Sequence, residues 1–399
     1  ATLCLTIVPV GAGGLPMPPM SPPAGDQGFA LSLLKTLCRR QPAANVLVSP
    51  VSVYTALMMT ANGARGETRA AMARALGFEP PAQSALETQL SAYLAIVGRG
   101  AGPATVHLAN AIWAGTHIPL EAGYVATLKA TYHALVAPLP AEDPAAAVNA
   151  WVDRQTRGRI DSIVDNVDPR LSMLLLNAAY FKDAWRTPFP PKATTEGAFY
   201  STAGDQMTVA YMRRRGQFDY LADAGFQLVS LPYRDSRFRM LILLPAADRP
   251  LGALIDALDG VRLDRWLQDL RPAEGRVSLP RFQLSAGFSL KKPLVEMGMG
   301  TAFDGGRADF GGITSSRPFA IGDVRHRCVL KVDEAGSEAA AVTAVEMFGS
   351  APPAADPFEL RAERPFLCLL QDRSAGRILF MGAVYRPEAP GPTASSPGS

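Results

Sequence analysis

The sequence predicts an α+β fold built as one large domain, and three observations carry that expectation. A chain of 399 residues with 48% hydrophobic content can bury an extensive core. Helical spacing dominates the first 160 residues, whereas strand-like runs dominate after Thr195. Strict strand–helix–strand alternation is scarce, which separates this pattern from a parallel α/β fold. No interior stretch reads as an interdomain linker, and no fixed-period repeat is present.

The elements follow in order. Phe29 to Leu37 has helical spacing, and Val46 to Val48 is a short strand. The chain turns at Ser49-Pro50 into a helix with Pro at its first position, ending near Ala61-Asn62-Gly63. Further helices are predicted over 66–77, 84–97, 120–132 and 145–156, with a strand over 106–113. The apolar run Leu171 to Phe181 predicts a fully buried strand. Short strands follow at 198–200, 207–212, 218–220, 227–232 and 239–244. A helix pair at 251–258 and 263–270 precedes strands at 276–282, 324–332, 358–361, 366–371 and 378–385.

The termini read differently. Residues 1–24 combine the apolar stretch Leu3 to Val10 with a Gly- and Pro-rich linker, which reads as a secretory-signal remnant or flexible leader. That reading implies an extracellular or periplasmic location, with a cytoplasmic one as the alternative. Residues 25–387 form the single domain, and residues 388–399, mostly Pro, Ser, Ala and Gly, are expected to be disordered.

Composition excludes several function classes. A net charge of +3 does not call for nucleic acid as a partner. No run is long and apolar enough to span a bilayer. Cys4, Cys38, Cys328 and Cys368 show no metal-binding or disulfide spacing and read as free, buried thiols. His107, His117, His133 and His326 are not paired at helical metal-ligand spacing, and no nucleophile elbow, zinc-protease or phosphate-loop motif occurs. Neither an enzyme nor a metal or cofactor site is therefore expected. Arg213-Arg214-Arg215 reads as a solvated turn.

One segment stands apart. Val332 to Met347 reads V-D-E-A-G-S-E-A-A-A-V-T-A-V-E-M. As a strand it would put Ser337, Ala339, Ala341, Thr343, Val345 and Met347 on one face, and Glu338, Ala340, Val342, Ala344 and Glu346 on the other. Ala and Glu also favour a helix, so local pattern leaves both conformations open. The Pro-rich stretch after Phe348 suits neither element.

Four motifs stand in order along the chain: Asn45-Val46-Leu47-Val48-Ser49-Pro50-Val51-Ser52, Gly63-Ala64-Arg65-Gly66-Glu67-Thr68, Ala109-Asn110-Ala111-Ile112-Trp113, and Asn149-x-Trp151-Val152 with Thr156-x-Gly158-x-Ile160. Through them the chain resembles the serpin family, from about Gly28 to Pro387. Asn177 to Phe189 resembles the family's sheet-core motif; Arg364-Pro365-Phe366-Leu367 and Ile378 to Gly382 resemble its carboxyl-terminal signature. Glu363 departs from the more usual Asp or Asn at a turn.

The resemblance implies helices around a large mixed main sheet and two smaller sheets, with an exposed reactive-centre loop. It implies a monomeric suicide-substrate inhibitor of serine proteases, whose cleaved loop inserts into the main sheet as an extra strand. The loop hinge would be Glu334, Gly336, Ser337, Glu338, Ala339, Ala340, Ala341, Val342 and Thr343. Counting forward from Gly336 places the reactive bond at Ser350-Ala351, implying an elastase-like or subtilisin-like target. Counting back from Pro365 disagrees, so Met347 or Phe348 is the alternative bait, with a chymotrypsin-like target. Ser49, Ser52, Asn177 and His326 resemble the family's polar cluster beneath the parting strands. Glu334 and Arg281 resemble its ion pair at the insertion point, with Trp185 close by. A non-inhibitory binding protein or chaperone is the competing function.

Overall fold

The structure is a computed structural model describing residues 24–98, 102–168, 170–315, 318–337 and 357–389. Among these residues the helices are α1 (Ala24–Arg40), α2 (Pro50–Ala61), α3 (Gly66–Leu76), α4 (Gln83–Gly98), α5 (Ala122–Tyr132), α6 (Pro144–Thr156), α7 (Leu251–Ala257), α8 (Gly260–Asp269) and α9 (Lys291–Leu294). The early strands are β1 (Val46–Val48), β2 (Thr105–Ala114), β3 (Leu135–Pro138), β4 (Met173–Ala184), β5 (Thr195–Tyr200), β6 (Gln206–Asp223), β7 (Phe226–Pro232) and β8 (Phe238–Pro245). The later ones are β9 (Arg271–Pro280), β10 (Phe282–Ser289), β11 (Asp323–Val332), β12 (Gly336–Ser337), β13 (Phe358–Arg361), β14 (Phe366–Asp372) and β15 (Arg377–Val384).

Local chemistry sets the helix boundaries. Pro50 opens α2, where its missing N–H costs nothing. Gly77 ends α3 in a left-handed conformation (φ 73°) that a side chain would oppose. At the N-terminus of α6, the Asp143 carboxylate accepts the Ala146 N–H at 3.0 Å.

The main sheet has the order β10-β11-β4-β2-β3, with β12 added alongside β4. It is mixed: β11 and β4 are parallel, as are β2 and β3, while β10–β11 and β2–β4 are antiparallel. Alternation sorts its side chains. Ala109, Ala111, Trp113, Leu174, Leu176 and Ala178 face outward against Val148, Trp151 and Val152 of α6. The other face packs on α2 and on the second sheet, ordered β1-β15-β14-β8-β7-β6-β9-β13 with β5 on β6. The two smaller sheets join here because β6 runs for 18 residues. Its first part pairs with β5, its last with β7, and β9 spans the junction.

Four findings refine the sequence expectations. The Arg213–Arg215 run lies inside β6 instead of a turn, with Arg214 stacked over Phe189 and Phe218. β3 and β10 are additional strands. Cys328 and Cys368 are buried free thiols, whereas Cys38 is only half-buried. Ala24, read as leader, already belongs to α1, and Glu388, read as tail, bridges to Gln283. No described helix is long and apolar enough to cross a membrane.

Candidate functional site

The strand pair β4–β11 is where the site is built. From Asp323↔Leu174 to Val329↔Tyr180 the two strands are paired in continuous parallel register. Beyond that point the register ends and the strands part. The chain leaves β11 at Val332, turns through 333–335 and returns as β12, antiparallel to β4. Gly336 pairs with Ala184 and Ser337 with Asp183. The start of the sequence-singled segment is therefore strand at the top of the parted pair.

Below it lies a polar row. His326 on β11, Asn177 on β4 and Asn110 on β2 are register partners across three strands, all pointing toward α2. His326 Nδ1 donates to Asn177 Oδ1 at 2.6 Å, and Asn177 Nδ2 donates to Ser52 Oγ at 2.6 Å and to Asn110 Oδ1. His326 Nε2 accepts the Ser49 backbone N–H at 3.1 Å, which requires the neutral ring with its proton on Nδ1. Burial favours that form and pushes the ring pKa down to about 3. Ser49 contributes its backbone alone, since its hydroxyl has no partner.

This row divides two apolar clusters. Leu175, Ile112 and Val324 belong to the cluster on one side; Ala179, Val106 and Cys328 belong to the other. Each strand thus changes from apolar to polar and back at one level. Burying the row costs little only because its members satisfy one another.

The turn between β11 and β12 is anchored from several directions. Glu334 accepts Arg281 Nε at 2.7 Å and Nη2 at 2.6 Å, plus the Thr194 hydroxyl. Burial pushes this carboxyl up, but the Arg281 and Thr194 hydrogen bonds outweigh it and leave the pKa below its ordinary value. Trp185 donates its indole N–H to Asp333 O at 2.9 Å and its backbone N–H to Ala335 O at 2.8 Å. Its ring stacks on Tyr233 at 4.4 Å. The Tyr233 hydroxyl in turn meets the fully buried Ser337 Oγ at 2.6 Å. Gly336 has φ 154°, and a Cβ there would fall 2.2 Å from Asp183 O.

The structure brings Ser52, Asn177 and His326 together with the Ser49 backbone, and separately groups Glu334, Arg281, Trp185, Gly336 and Ser337. Glu338, Ala339, Ala340, Ala341, Val342 and Thr343 lie outside the described residues, as do the reactive-bond candidates Met347, Phe348, Ser350 and Ala351. Sequence reasoning missed Asn110, Thr194 and Tyr233 as members of these two groups. Asn110 carried a legible signal, a polar side chain in the buried alternation of β2; the others did not.

Residues 24–387 match the family described as Serpin (serine protease inhibitor). A serpin-like protein of Thermococcus kodakarensis is 33% identical over 366 residues, covering 90% of this chain and 84% of that one. The leukocyte elastase inhibitor of Bos taurus is 31% identical, covering 91% and 99%. Among solved structures, the thermophilic serpin tengpin in its native state superposes with a TM-score of 0.84 at 26% identity, covering 91% of this chain and 93% of that one. Human thyroxine-binding globulin with thyroxine gives 0.84 at 25% identity, covering 91% and 98%.

Proposed function

Because this chain belongs to the serpin family, we propose that it is a suicide-substrate inhibitor of serine-type endopeptidases. One observation carries the reading: Gly336 and Ser337 already pair with β4 where β4 and β11 part. Continuing that register would bring Ala339 opposite Phe181, Ala341 opposite Ala179 and Thr343 opposite Asn177. Small side chains would lead, and the Thr343 hydroxyl would arrive at the polar row, where a hydrogen-bonding group is required as the strands separate.

In this mechanism the target's serine oxygen attacks the carbonyl carbon of the residue before the scissile bond. The peptide C–N bond breaks, and the new amine takes a proton and becomes the amino terminus of the carboxyl fragment, which carries β13, β14 and β15. The acyl ester then travels with the inserting strand before water can cleave it. About 14 inserted residues span on the order of 45 Å, enough to carry the bound protease far from its docking position. The bait is Ser350, with Met347 or Phe348 as the alternative. Similarity to leukocyte elastase inhibitors supports an elastase-like target. Native stability is then kinetic, with the uninserted fold trapped above the inserted one.

The test is incubation with elastase, subtilisin, chymotrypsin and trypsin, followed by denaturing electrophoresis. A detergent-stable covalent complex is expected, and sequencing the released fragment assigns the bond. Simple cleavage with no complex, and no rise in thermal stability afterwards, would refute inhibition and favour a binding role like that named for thyroxine-binding globulin.

A further inference from the structure

A cavity of about 350 Å³ lies between the end of α1, the end of β10 and α9, away from the hinge. Its apolar walls are Leu37, Phe288 and Pro293, and its cationic ones Arg40, Lys291 and Lys292. No carboxylate lines it. That volume falls in the range of small-molecule sites, roughly 300–1,000 Å³.

The walls are held in place before any ligand arrives. Phe288 is the register partner of His326, and the two rings meet edge-on at 6.0 Å. Leu37 is buried in the core cluster. Arg40 is neutralised by Glu296, and Lys291 Nζ donates to Gly322 O at 3.3 Å. The carboxylate reached by the Ser289 hydroxyl is that of Asp323, which is paired with Arg325 at 2.6 Å. Lys292 is exposed and has no ion pair or hydrogen bond among the described residues. The cavity therefore joins an apolar pocket to an uncompensated positive charge.

We propose that this cavity binds a small amphipathic carboxylate, its hydrocarbon body against Phe288 and Leu37 and its head group at Lys292. Charge selects the class: the open cation attracts an anion and repels an amine, while the apolar walls reward a hydrocarbon body over a bare ion. The site is separate from the proposed reactive loop, and its test uses no protease.

Isothermal titration of the full, uncleaved chain with sodium decanoate below its micellar concentration should show one site per chain. Decylamine should bind at least about tenfold more weakly. Lys292→Glu should weaken decanoate by about tenfold, and Gln41→Trp, at the exposed mouth, should abolish binding by filling the entrance. Saturating decanoate should also raise the thermal midpoint of the parent protein. No binding heat, equal affinity for decylamine, or two variants that bind like the parent would each overturn the proposal. Any of these results leaves the protease-inhibition reading untouched, just as failure to trap a protease leaves this site untouched.

Discussion

The lower and upper parts of the β4–β11 pair use opposite means of closure. Below, Asp323–Val329 and Leu174–Tyr180 are joined by continuous backbone pairing, reinforced by His326, Asn177 and Ser52. Above, the strands are separated and, among the described residues, Gly336 and Ser337 occupy the start of the gap. Apolar packing resists separation smoothly, over the whole area uncovered. A hydrogen-bonded row resists it at one level and gives way when another hydroxyl substitutes. On our proposal the upper region sets where a strand begins to enter, and the polar row sets how far it advances unaided.

Ser337→Arg should break the upper region most severely. The serine is fully buried with its hydroxyl on Tyr233, so a guanidinium there would carry a charge into a dry site at a cost of several kcal/mol. Covalent complex should fall by at least about a hundredfold, since even 2.7 kcal/mol corresponds to that ratio, and cleaved product should take its place. The native fold should survive with the hinge expelled. Efficient trapping by this variant on denaturing gels would show that Ser337 does not lead an inserting strand.

His326→Ala tests the lower region. It leaves Asn177 Oδ1 and the Ser49 N–H without their partner and opens a cavity, costing about 2–4 kcal/mol. Scanning calorimetry should record a midpoint lower by on the order of 5 °C. The pH dependence has a definite sign. The folded ring titrates near 3 while the unfolded ring titrates near its ordinary value, so the unfolded state binds the extra proton between them. Stability contributed by neutral His326 is complete above about pH 6.5 and declines by roughly 1.4 kcal/mol per unit as pH falls toward 3. His326→Gln should flatten that acid limb, measured as midpoint against pH. An unchanged limb would assign acid sensitivity elsewhere.

Legibility in the sequence followed the range of the interactions. β11 was readable because Val324, His326, Cys328, Leu330 and Val332 alternate cleanly with half-buried neighbours, and a lone His in that buried row marks a satisfied polar site. β6 was read as two strands because Arg213-Arg214-Arg215-Gly216 interrupts its apolar pattern. Pairing with β9 carries the strand through, and Arg214 is accommodated by aromatic faces. β10 alternates Phe282, Leu284, Ala286 and Phe288, but its intervening Ser and Gly look like loop. Tyr233 and Thr194 could not be found locally. Their partners are 104 and 140 residues away, and only the folded chain brings them together.

The smallest expected effect concerns the anchor between the regions' opening and the rest of the molecule. Arg281 is 43% exposed on its side chain, so solvent screens its pair with Glu334, and Arg281→Ala should cost only about 1 kcal/mol. The informative change is in titration. With the guanidinium present, its hydrogen bonds and that of Thr194 outweigh burial and keep Glu334 ionised below its ordinary pKa. Stability from this carboxylate is present above its unfolded pKa and is lost as pH falls through the folded one. Without Arg281, burial has the larger say and the carboxyl should protonate at higher pH. Limited proteolysis of the 333–337 turn should therefore accelerate in the variant at a less acidic pH than in the parent. Coincident pH profiles would mean that Trp185 and the backbone bonds to Asp333 and Ala335 hold the turn by themselves.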